Sequence, residues 1–295
     1  MKLFQSILVP LDGSERSAKS LPCATWLAAG LKTHLHILNA TPEILHARDA
    51  LERLKVPKES WPYVTLHQVP HSAADEILSA VEEYSIDLIV MTARGENPDE
   101  SKLIGQVAER VVEKGSVPVL LVPPLYKRTL PWKSILVPLT GEAGPDESLT
   151  LALKLADALD LQVSVVHVAD HEAGVTPMDS YSDHAHHEYP RMFNEYVRRG
   201  CGSCTAEQRE RIVDVLLSRG NVADEVVRLA KRKKVGLVAA GWHGRLVKGR
   251  AKVLKQLMQA LSCPLLLVKS RAAAKFKLKV GDELEIVPPE SALPP

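Results

Sequence analysis

The sequence has few cysteines, few aromatic residues and no excess of charge of either sign. Four cysteines in 295 residues are too few for a disulfide scaffold, so we expect a reducing compartment and free thiols unless a metal binds a pair. Lysine plus arginine number 37 against 36 for aspartate plus glutamate, a balance that gives no broad field to attract nucleic acid or an anionic membrane. We therefore expect any charged ligand to be held by a local site.

Long apolar runs are also missing from the sequence. No segment reaches the roughly 18 apolar residues that a membrane-spanning helix needs. The apolar start of the chain is interrupted by Gln5, Ser6 and Asp12, too soon for the core of a signal peptide. We expect a cytoplasmic protein with neither a membrane nor a nucleic acid as its partner.

The chain contains an internal repeat that covers both halves. Ile-Leu-Val-Pro-Leu at residues 7–11 recurs at residues 135–139, an offset of 128, and later landmarks recur at offsets of 149 and 146. The second half has therefore gained about 21 residues between Val168 and Gly220. Together with the length, this predicts domains at residues 1–127 and 132–270, an insertion at about 170–205, and a C-terminal segment at 271–295.

Short apolar runs alternate with longer amphipathic stretches within each half. The pattern predicts strands at residues 7–11, 35–39, 88–92 and 117–122 and helices at 14–29, 73–84 and 103–114, and the repeat makes 212–217 a strand that matches 64–69. This alternation predicts an α/β fold with two tandem, doubly wound, open parallel sheets. We expect strands 117–122 and 265–268 to meet across a pseudo-two-fold axis, giving an intramolecular pseudo-dimer, and further dimerisation stays open.

Alternating polar and apolar residues follow the second domain and surround a Gly-Asp-Glu turn at residues 281–283. This pattern predicts a C-terminal β-hairpin followed by a proline-rich tail. With a three-residue loop, the expected cross-strand pairs are Val280 with Leu284, Leu278 with Ile286, and Lys279 with Glu285.

Three motifs resemble those of the universal stress protein family. They are Ile-Leu-Val-Pro-Leu-Asp-Gly-Ser at 7–14, Asp-Leu-Ile-Val-Met at 87–91, and Gly-Gln-Val-Ala-Glu-Arg-Val at 105–111 leading to Pro-Val-Leu-Leu-Val at 118–122. The resemblance covers about residues 4–123 and 133–269 and implies an adenine nucleotide alpha hydrolase-like, Rossmann-like fold with a role in the stress response. It also implies ATP or AMP as a ligand, with an aspartate after the first strand and a glycine loop on the phosphates.

The first half keeps part of the family's nucleotide motif. Asp12 is present, and Gly95 and Gly105 have the required nine residues between them, but Thr92 replaces the leading glycine and Gln106 replaces the hydroxyl residue. By resemblance, Asp12 and the Ala40 backbone face the adenosine, and residues 95–107 face the phosphates. The candidate binding residues of this half are Pro10, Asp12, Ala40, Gly95, Gly105, Gln106 and Val107. Alternatively, the glycines serve only the turn and the helix entry, and Ser14 is a helix N-cap.

The second half keeps less of the motif. Gly241 and Gly244 retain the leading glycine pair and are candidate binding residues, but Thr140 stands where the aspartate is expected. The loop is three residues shorter, and its final Gly-Ser aligns with Ala251-Lys252. A second hypothesis is therefore a non-catalytic interaction scaffold in which both pockets have degenerated.

The insertion contains the candidate metal ligands. His184, His187, Cys201 and Cys204 provide two imidazoles and two thiolates, a set that satisfies tetrahedral zinc. A redox pair is an alternative. Residues 205–208 resemble a capping box, which indicates a helix N-terminus, and a helix N-terminus next to Cys204 would lower the pKa of its thiol. A third interpretation is that the insertion is an inert loop. A metal or thiol sensor built on the insertion is the third functional hypothesis.

Catalytic motifs do not stand out in the sequence. No Ser-His-Asp order, paired carboxylates or metalloprotease helix is evident, so no catalytic residue is assigned and we expect a weak ATPase at most. His67, His71 and His167 lie near the predicted strand ends, and we interpret them as structural residues that satisfy local hydrogen bonds.

Overall fold

The computed structural model describes residues 3–70, 72–94, 104–124, 126–127, 130–139, 146–169, 197, 201, 203–242, 251–269, 275–277 and 285–287. Its elements follow the predicted repeat, with five strands in each half and helices between them. A short pair of strands lies after the second half.

The first half alternates strands and helices along the chain. Its strands are β1 (Ser6–Pro10), β2 (His34–Ala40), β3 (Val64–Val69), β4 (Leu88–Thr92) and β5 (Val119–Val122). Its helices are α1 (Leu21–Leu31), α2 (Ala47–Arg53), α3 (Ala73–Glu83) and α4 (Gln106–Lys114). Two 3₁₀ turns, Ser17–Ser20 and Lys58–Tyr63, complete this half.

The second half repeats the arrangement. Its strands are β6 (Ser134–Leu139), β7 (Gln162–Ala169), β8 (Ile212–Arg219), β9 (Leu237–Trp242) and β10 (Leu265–Lys269). Its helices are α5 (Glu147–Leu159), α6 (Ala206–Glu210), α7 (Val222–Arg232) and α8 (Lys252–Ala260). The repeat therefore holds in three dimensions, while the exact domain limits stay a prediction.

The sheets of the two halves join into one ten-stranded sheet. Its strand order is β3-β2-β1-β4-β5-β10-β9-β6-β7-β8, so each half has the same internal order read from its outer edge. Pairing is parallel within each half, and β5 and β10 pair antiparallel, with Leu266 opposite Leu120. The expected meeting of these two strands across a pseudo-two-fold axis is confirmed, as is the pairing of the tandem halves.

Helices cover both faces of this sheet, as parallel strands require. On one face α1 and α5 pack against each other and against a core cluster that includes Leu27, Trp132 and Leu155. On the other face α3, α4, α7 and α8 bury residues such as Ile77 and Val111. Both clusters contain residues of both halves, so the two halves share their cores.

Two tryptophans pack where the halves meet. The rings of Trp26 and Trp132 lie 4.8 Å apart, centroid to centroid, at an angle of 60°, and the Trp132 indole N–H donates to the Tyr126 hydroxyl at 2.9 Å. Trp132 is 4% exposed. Aromatic pairs in this tilted geometry stabilise a core beyond their area burial, so the contact helps to hold the halves together.

The first helix begins later than the sequence pattern predicts. Residues 14–20 form serine-rich turns, in which the Ser17 amide donates to Ser14 Oγ at 3.0 Å and Ser20 Oγ donates to the Ser17 carbonyl at 2.7 Å. Serine side chains that bond to nearby backbone compete with helical hydrogen bonds. The α-helix therefore starts only at Leu21, with Pro22 in its first turn, a position that proline tolerates.

The C-terminal hairpin is present with a different register. β11 (Lys275–Lys277) pairs antiparallel with β12 (Glu285–Val287), and Lys277 is opposite Glu285. The predicted pairs Lys279 with Glu285 and Leu278 with Ile286 are therefore wrong by two residues. A shift of two leaves every side chain on its original face, so the polar-apolar alternation could not distinguish the two registers.

Candidate functional site

A cavity of about 390 Å³ opens at the carboxyl ends of β1, β2 and β4 in the first half. This edge is where open α/β sheets bind ligands. The N-terminal ends of α3 and α4 close its sides. Its lining consists of Pro10, Leu11, Asp12, Ser17, Leu38, Ala40, Ala73, Ile77, Met91, Thr92, Ala93, Arg94, Ile104, Gly105, Gln106, Val107 and Ala108. Six candidate residues from the sequence are among them: Pro10, Asp12, Ala40, Gly105, Gln106 and Val107.

Asp12 lies at the mouth of this cavity in a tight turn after β1. Its Oδ1 accepts a hydrogen bond from the Ser14 amide at 3.0 Å, and Gly13 follows with a φ of +84°. Glycine adopts this left-handed conformation at little cost, so the turn can direct the exposed Asp12 towards the cavity. Ser14 is not a helix N-cap: its Oγ accepts from the Ser17 amide, and the 3₁₀ turn at Ser17–Ser20 has Arg16 as its N-cap residue.

The end of β2 forms the floor beside Asp12. The Asn39 amide group donates to the Leu11 carbonyl at 2.8 Å, and the Leu11 amide donates to the Leu38 carbonyl at 2.9 Å. These bonds fix the ends of β1 and β2 relative to each other. Ala40, which comes next, is half-buried and leaves space because its side chain is a single methyl group.

The N-terminus of α4 faces the cavity from the opposite side. Gly105 is its N-cap residue and offers no side-chain oxygen, while Gln106 and Val107 begin the helix. The first N–H groups of a helix have no partner inside the helix and carry the positive end of its dipole. This arrangement favours an anionic group in the cavity.

Thr92 ends β4 where the family pattern has a glycine. It is 5% exposed, and its hydroxyl donates to the Arg94 carbonyl at 3.0 Å, which fixes the start of the following loop. The Ala93 amide continues the strand pairing by donating to the Val122 carbonyl, and the Gly105 amide donates to the Ala93 carbonyl. Gly95 lies outside the described residues.

The equivalent position in the second half contains larger side chains. Strand registers and repeat offsets place Val168 at the position of Ala40, Val222 at Ala73, Trp242 at Ala93 and Leu254 at Ala108. Val168, Trp242 and Leu254 are buried in one core cluster, and Val222 packs against it. Each of the four alanines that line the first-half cavity is thus replaced by a larger residue that packs in or against this core cluster.

The glycine candidates of the second half lie near these side chains. Gly241 lies on β9 directly before Trp242 and is opposite Val268 of β10. Gly244 and Thr140 lie outside the described residues. Ala251, which replaces Gly105, is the N-cap of α8 with a φ of +53°. A left-handed alanine is strained, so this helix entry differs from the extended one at Gly105.

The candidate metal ligands are found in a different chemical state from the expected thiols. Cys201 and Cys204 form a disulfide, and both are buried against the core. A disulfide sulfur lacks the negative charge of the thiolate that zinc binds, so in this form the pair provides no thiolate ligands. The predicted capping box of Thr205 and Gln208 is confirmed at the start of α6. His184 and His187 lie outside the described residues, and their metal role stays a prediction.

The other two cysteines, Cys23 and Cys263, are buried and form no disulfide. Burial raises the pKa of the Cys23 thiol to about 12, so this side chain stays protonated and behaves as a small apolar residue. The expectation that the cysteines are thiols therefore holds for Cys23 and Cys263 and is wrong for Cys201 and Cys204.

Sequence reasoning missed several cavity residues, notably Ser17, Ala73, Ala93 and Arg94. The small residues carried a signal, because each cavity alanine aligns with a larger residue in the repeat. Comparing residue size between the two halves, rather than glycines alone, would have located the cavity.

The comparisons with known proteins agree with this architecture. The sequence model of the universal stress protein family matches residues 41–123 and 131–269, which is more than half of the chain. Universal stress protein MJ0531 of Methanocaldococcus jannaschii is 29% identical over 141 residues, 41% of this chain and 82% of that protein. Universal stress protein YxiE of Bacillus subtilis is 28% identical over 149 residues, 41% of this chain and 99% of that protein.

Two solved structures share the fold across both halves. Protein PA1789 of Pseudomonas aeruginosa PAO1, described as functionally unknown, has a TM-score of 0.64 at 18% identity and covers 90% of this chain and 92% of its own. A universal stress protein from Archaeoglobus fulgidus has a TM-score of 0.60 at 16% identity, and the match covers 90% of this chain and 98% of that protein. With the family match on both segments, the chain belongs to the universal stress protein family as a tandem, two-domain member.

Proposed function

We propose that this protein is a cytoplasmic stress-response module that binds one adenine nucleotide, ATP or AMP, in the cavity of its first half. The observation that carries the proposal is the 390 Å³ cavity between Asp12 and the N-terminus of α4, at the ligand-binding edge of the sheet. Family membership supports the stress-response role. Within the described residues no helix is both long and apolar enough to cross a membrane.

The two ends of the cavity suit the two ends of a nucleotide. The apolar and backbone surface around Leu38 and Ala40 accepts the base and ribose, with Asp12 as a hydrogen-bond acceptor for ribose hydroxyls. The free N–H groups at the start of α4 accept the phosphates, and the Gln106 side-chain amide provides a donor where other family members have a hydroxyl. This chain therefore retains a phosphate-binding helix although its loop motif has changed.

The second half contributes no nucleotide site in this proposal. Val168, Trp242 and Leu254 fill the space that a ligand would need, and Ala251 replaces the glycine at the helix entry. We infer a stoichiometry of one nucleotide per chain. Single-domain relatives with two identical sites per dimer would bind two.

Calorimetric titration with ATP and AMP tests both the site and the stoichiometry. We expect one site per chain, and at 100 times the dissociation constant the ligand adds about 2.7 kcal/mol to the free energy of unfolding. Mass spectrometry of the purified protein should detect nucleotide that is retained from the cell. No thermal shift and no titration heat with millimolar ATP or AMP would contradict the proposal.

An aspartate pair provides matched variants for this titration. Asp12→Asn removes the carboxylate charge at the cavity mouth but keeps an oxygen for the Ser14 amide, and we expect nucleotide affinity to fall by about 10-fold. Asp87→Asn is the control, because Asp87 accepts from the Gln5 and Ser6 amides at the opposite end of the strands. The control should bind nucleotide like the wild type.

A further inference from the structure

Three histidines and a tyrosine cluster at the edge of the sheet, away from the nucleotide cavity. His34 and His36 project from the same face of β2 because they are two residues apart, and His67 lies on the neighbouring edge strand β3. Tyr84, at the C-terminal end of α3, stacks on His67 with ring centroids 4.0 Å apart. The cavity lies at the other end of these elements, beside Ala40 and the first turn of α3.

Two imidazole nitrogens face each other in this cluster. His36 Nδ1 and His67 Nε2 are 3.0 Å apart, and their rings are nearly parallel, at 6°. Two nitrogens bound to one divalent metal at about 2.0 Å each are separated by about 2.8 Å at a right angle and about 3.3 Å in a tetrahedron. The observed separation therefore fits two adjacent positions on one metal ion, closer to the square-planar value.

Neighbouring side chains fix the pair and offer oxygen ligands. Tyr84 stacks on His67, and the charge of the adjacent Glu83 acts on His67. His34 Nε2 instead contacts Thr65 Oγ1 at 2.7 Å. Within the described ranges no three His, Cys, Asp or Glu side chains form a ready metal cage. The site therefore consists of two imidazoles, with water and the exposed Glu83 carboxylate for the remaining positions.

We propose that His36 and His67 form a binding site for a divalent transition metal of the Cu²⁺ and Ni²⁺ class, separate from the nucleotide cavity. Square-planar nitrogen and oxygen ligands are typical of these two ions. Binding through His36 Nδ1 and His67 Nε2 places the ring protons on the outer nitrogens, His36 Nε2 and His67 Nδ1. The shared hydrogen bond is exchanged for two metal bonds, and the net charge of the pair does not change.

Cu²⁺ titration of the full chain tests this site. The three histidines at positions 184, 186 and 187 are first changed to glutamine, because they would bind copper themselves. In this background we expect one bound Cu²⁺ whose electron paramagnetic resonance spectrum shows coupling to two imidazole nitrogens. His36→Gln and His67→Gln should each weaken binding by at least about 10-fold, the loss that removal of even an outer partner can cause.

His34→Gln is the matched control, since it removes a histidine of the same strand that the site does not use. It should leave both the copper affinity and the spectrum unchanged. Thermal unfolding checks that each variant is folded, and the two-nitrogen spectrum of the unmodified pair is a second measurement that needs no variant at positions 36 and 67. Equal copper affinity in the His36→Gln and His67→Gln variants, or a spectrum without two nitrogen couplings, would overturn the proposal.

Discussion

Trp242 takes the position in the second half that Ala93 takes in the first. Each residue directly follows an equivalent strand residue, Thr92 opposite Val122 in the first half and Gly241 opposite Val268 in the second. Both residues are buried, but Ala93 lines the cavity of the first half with a single methyl group, whereas Trp242 places an indole ring at the same position. The two halves thus differ at this position by the volume of an indole ring.

Transferring the large side chain to the first half should close its cavity. In Ala93→Trp, we expect loss of nucleotide binding and of the thermal shift with ATP, because the indole occupies the space between β4 and α4. Calorimetric titration provides the measurement. Trp242→Phe is the control and should keep one nucleotide per chain, and undiminished binding by Ala93→Trp would show that the ligand sits elsewhere.

Removing the large side chain from the second half should be costly for stability. Trp242→Ala leaves a cavity in a core that includes Val168 and Leu254, and we expect the free energy of unfolding to fall by about 3–5 kcal/mol. Urea denaturation measures this loss. A change below about 1 kcal/mol would mean that the indole is not packed as described.

Two glycines near the junction of the halves should respond differently to alanine. A Cβ on Gly236 would lie 2.5 to 2.8 Å from Cβ, Cγ and Cδ1 of the buried Trp132, so Gly236→Ala should cost about 1–3 kcal/mol. A Cβ on Gly30 would lie 2.5 Å from Leu159 Cδ2, the end of a flexible side chain, and 4.0 Å from Leu159 Cγ. Gly30→Ala in α1 should therefore be nearly neutral, since helix propensity offsets the contact by about 1 kcal/mol.

Both glycine variants can be compared in one denaturation series. Similar losses for Gly236→Ala and Gly30→Ala would show that Trp132 is able to move aside. A larger loss for Gly236→Ala would indicate that its packing against Trp26 is rigid.

Stability should fall as the pH decreases from 6.5 towards 4. The pKa of His36 is about 4 in the folded chain and 6.5 ordinarily, so in this window the unfolded chain binds more protons. The contribution of neutral His36 to the free energy of unfolding is complete above pH 6.5 and is lost on acidification. Because His36 is partly exposed and its pKa also depends on the neighbouring His34 and His67, we expect a loss of about 1 kcal/mol by pH 5. Urea unfolding at pH 7 and pH 5 should show a smaller difference for His36→Gln.

A thiol count checks the state of the cysteines. Unfolded without reductant, the chain should release two reactive thiols, from Cys23 and Cys263, and four after reduction. Reduction should lower stability by only about 2 kcal/mol, since the loop between Cys201 and Cys204 is short. Four thiols without reductant would restore the cysteine pair as a possible metal ligand.

The sequence predicted the parts of the fold that depend on pattern. The repeat of residues 7–11 at 135–139 identified equivalent strands, and the apolar runs at 117–122 and 265–268 correctly indicated the strands that join the halves. The turn before α1 was harder to predict from the sequence. Serines at positions 14, 17 and 20 delay α1 to Leu21 through side-chain bonds that a helical pattern does not reveal.

The candidate site was only partly predictable for a related reason. Asp12 and Gly105 belong to a recognisable motif, but Ala73 and Ala93 matter only because they are small, and size has a meaning only when the neighbouring residues are known. The pairing of His36 with His67 depends on strand register, which brings together residues 31 positions apart. The disulfide likewise depends on the folded positions of two cysteines that are compatible with several chemical states.

The antiparallel contact between β5 and β10 has a consequence for the substitutions that the two halves can carry. In a dimer of identical chains, every substitution appears in both copies, so one pocket cannot be closed without closing the other. Here the two partners of the contact are encoded separately within one chain. The second half can therefore hold Trp242 and Leu254 where the first half has Ala93 and Ala108, and the two halves stay together at any protein concentration.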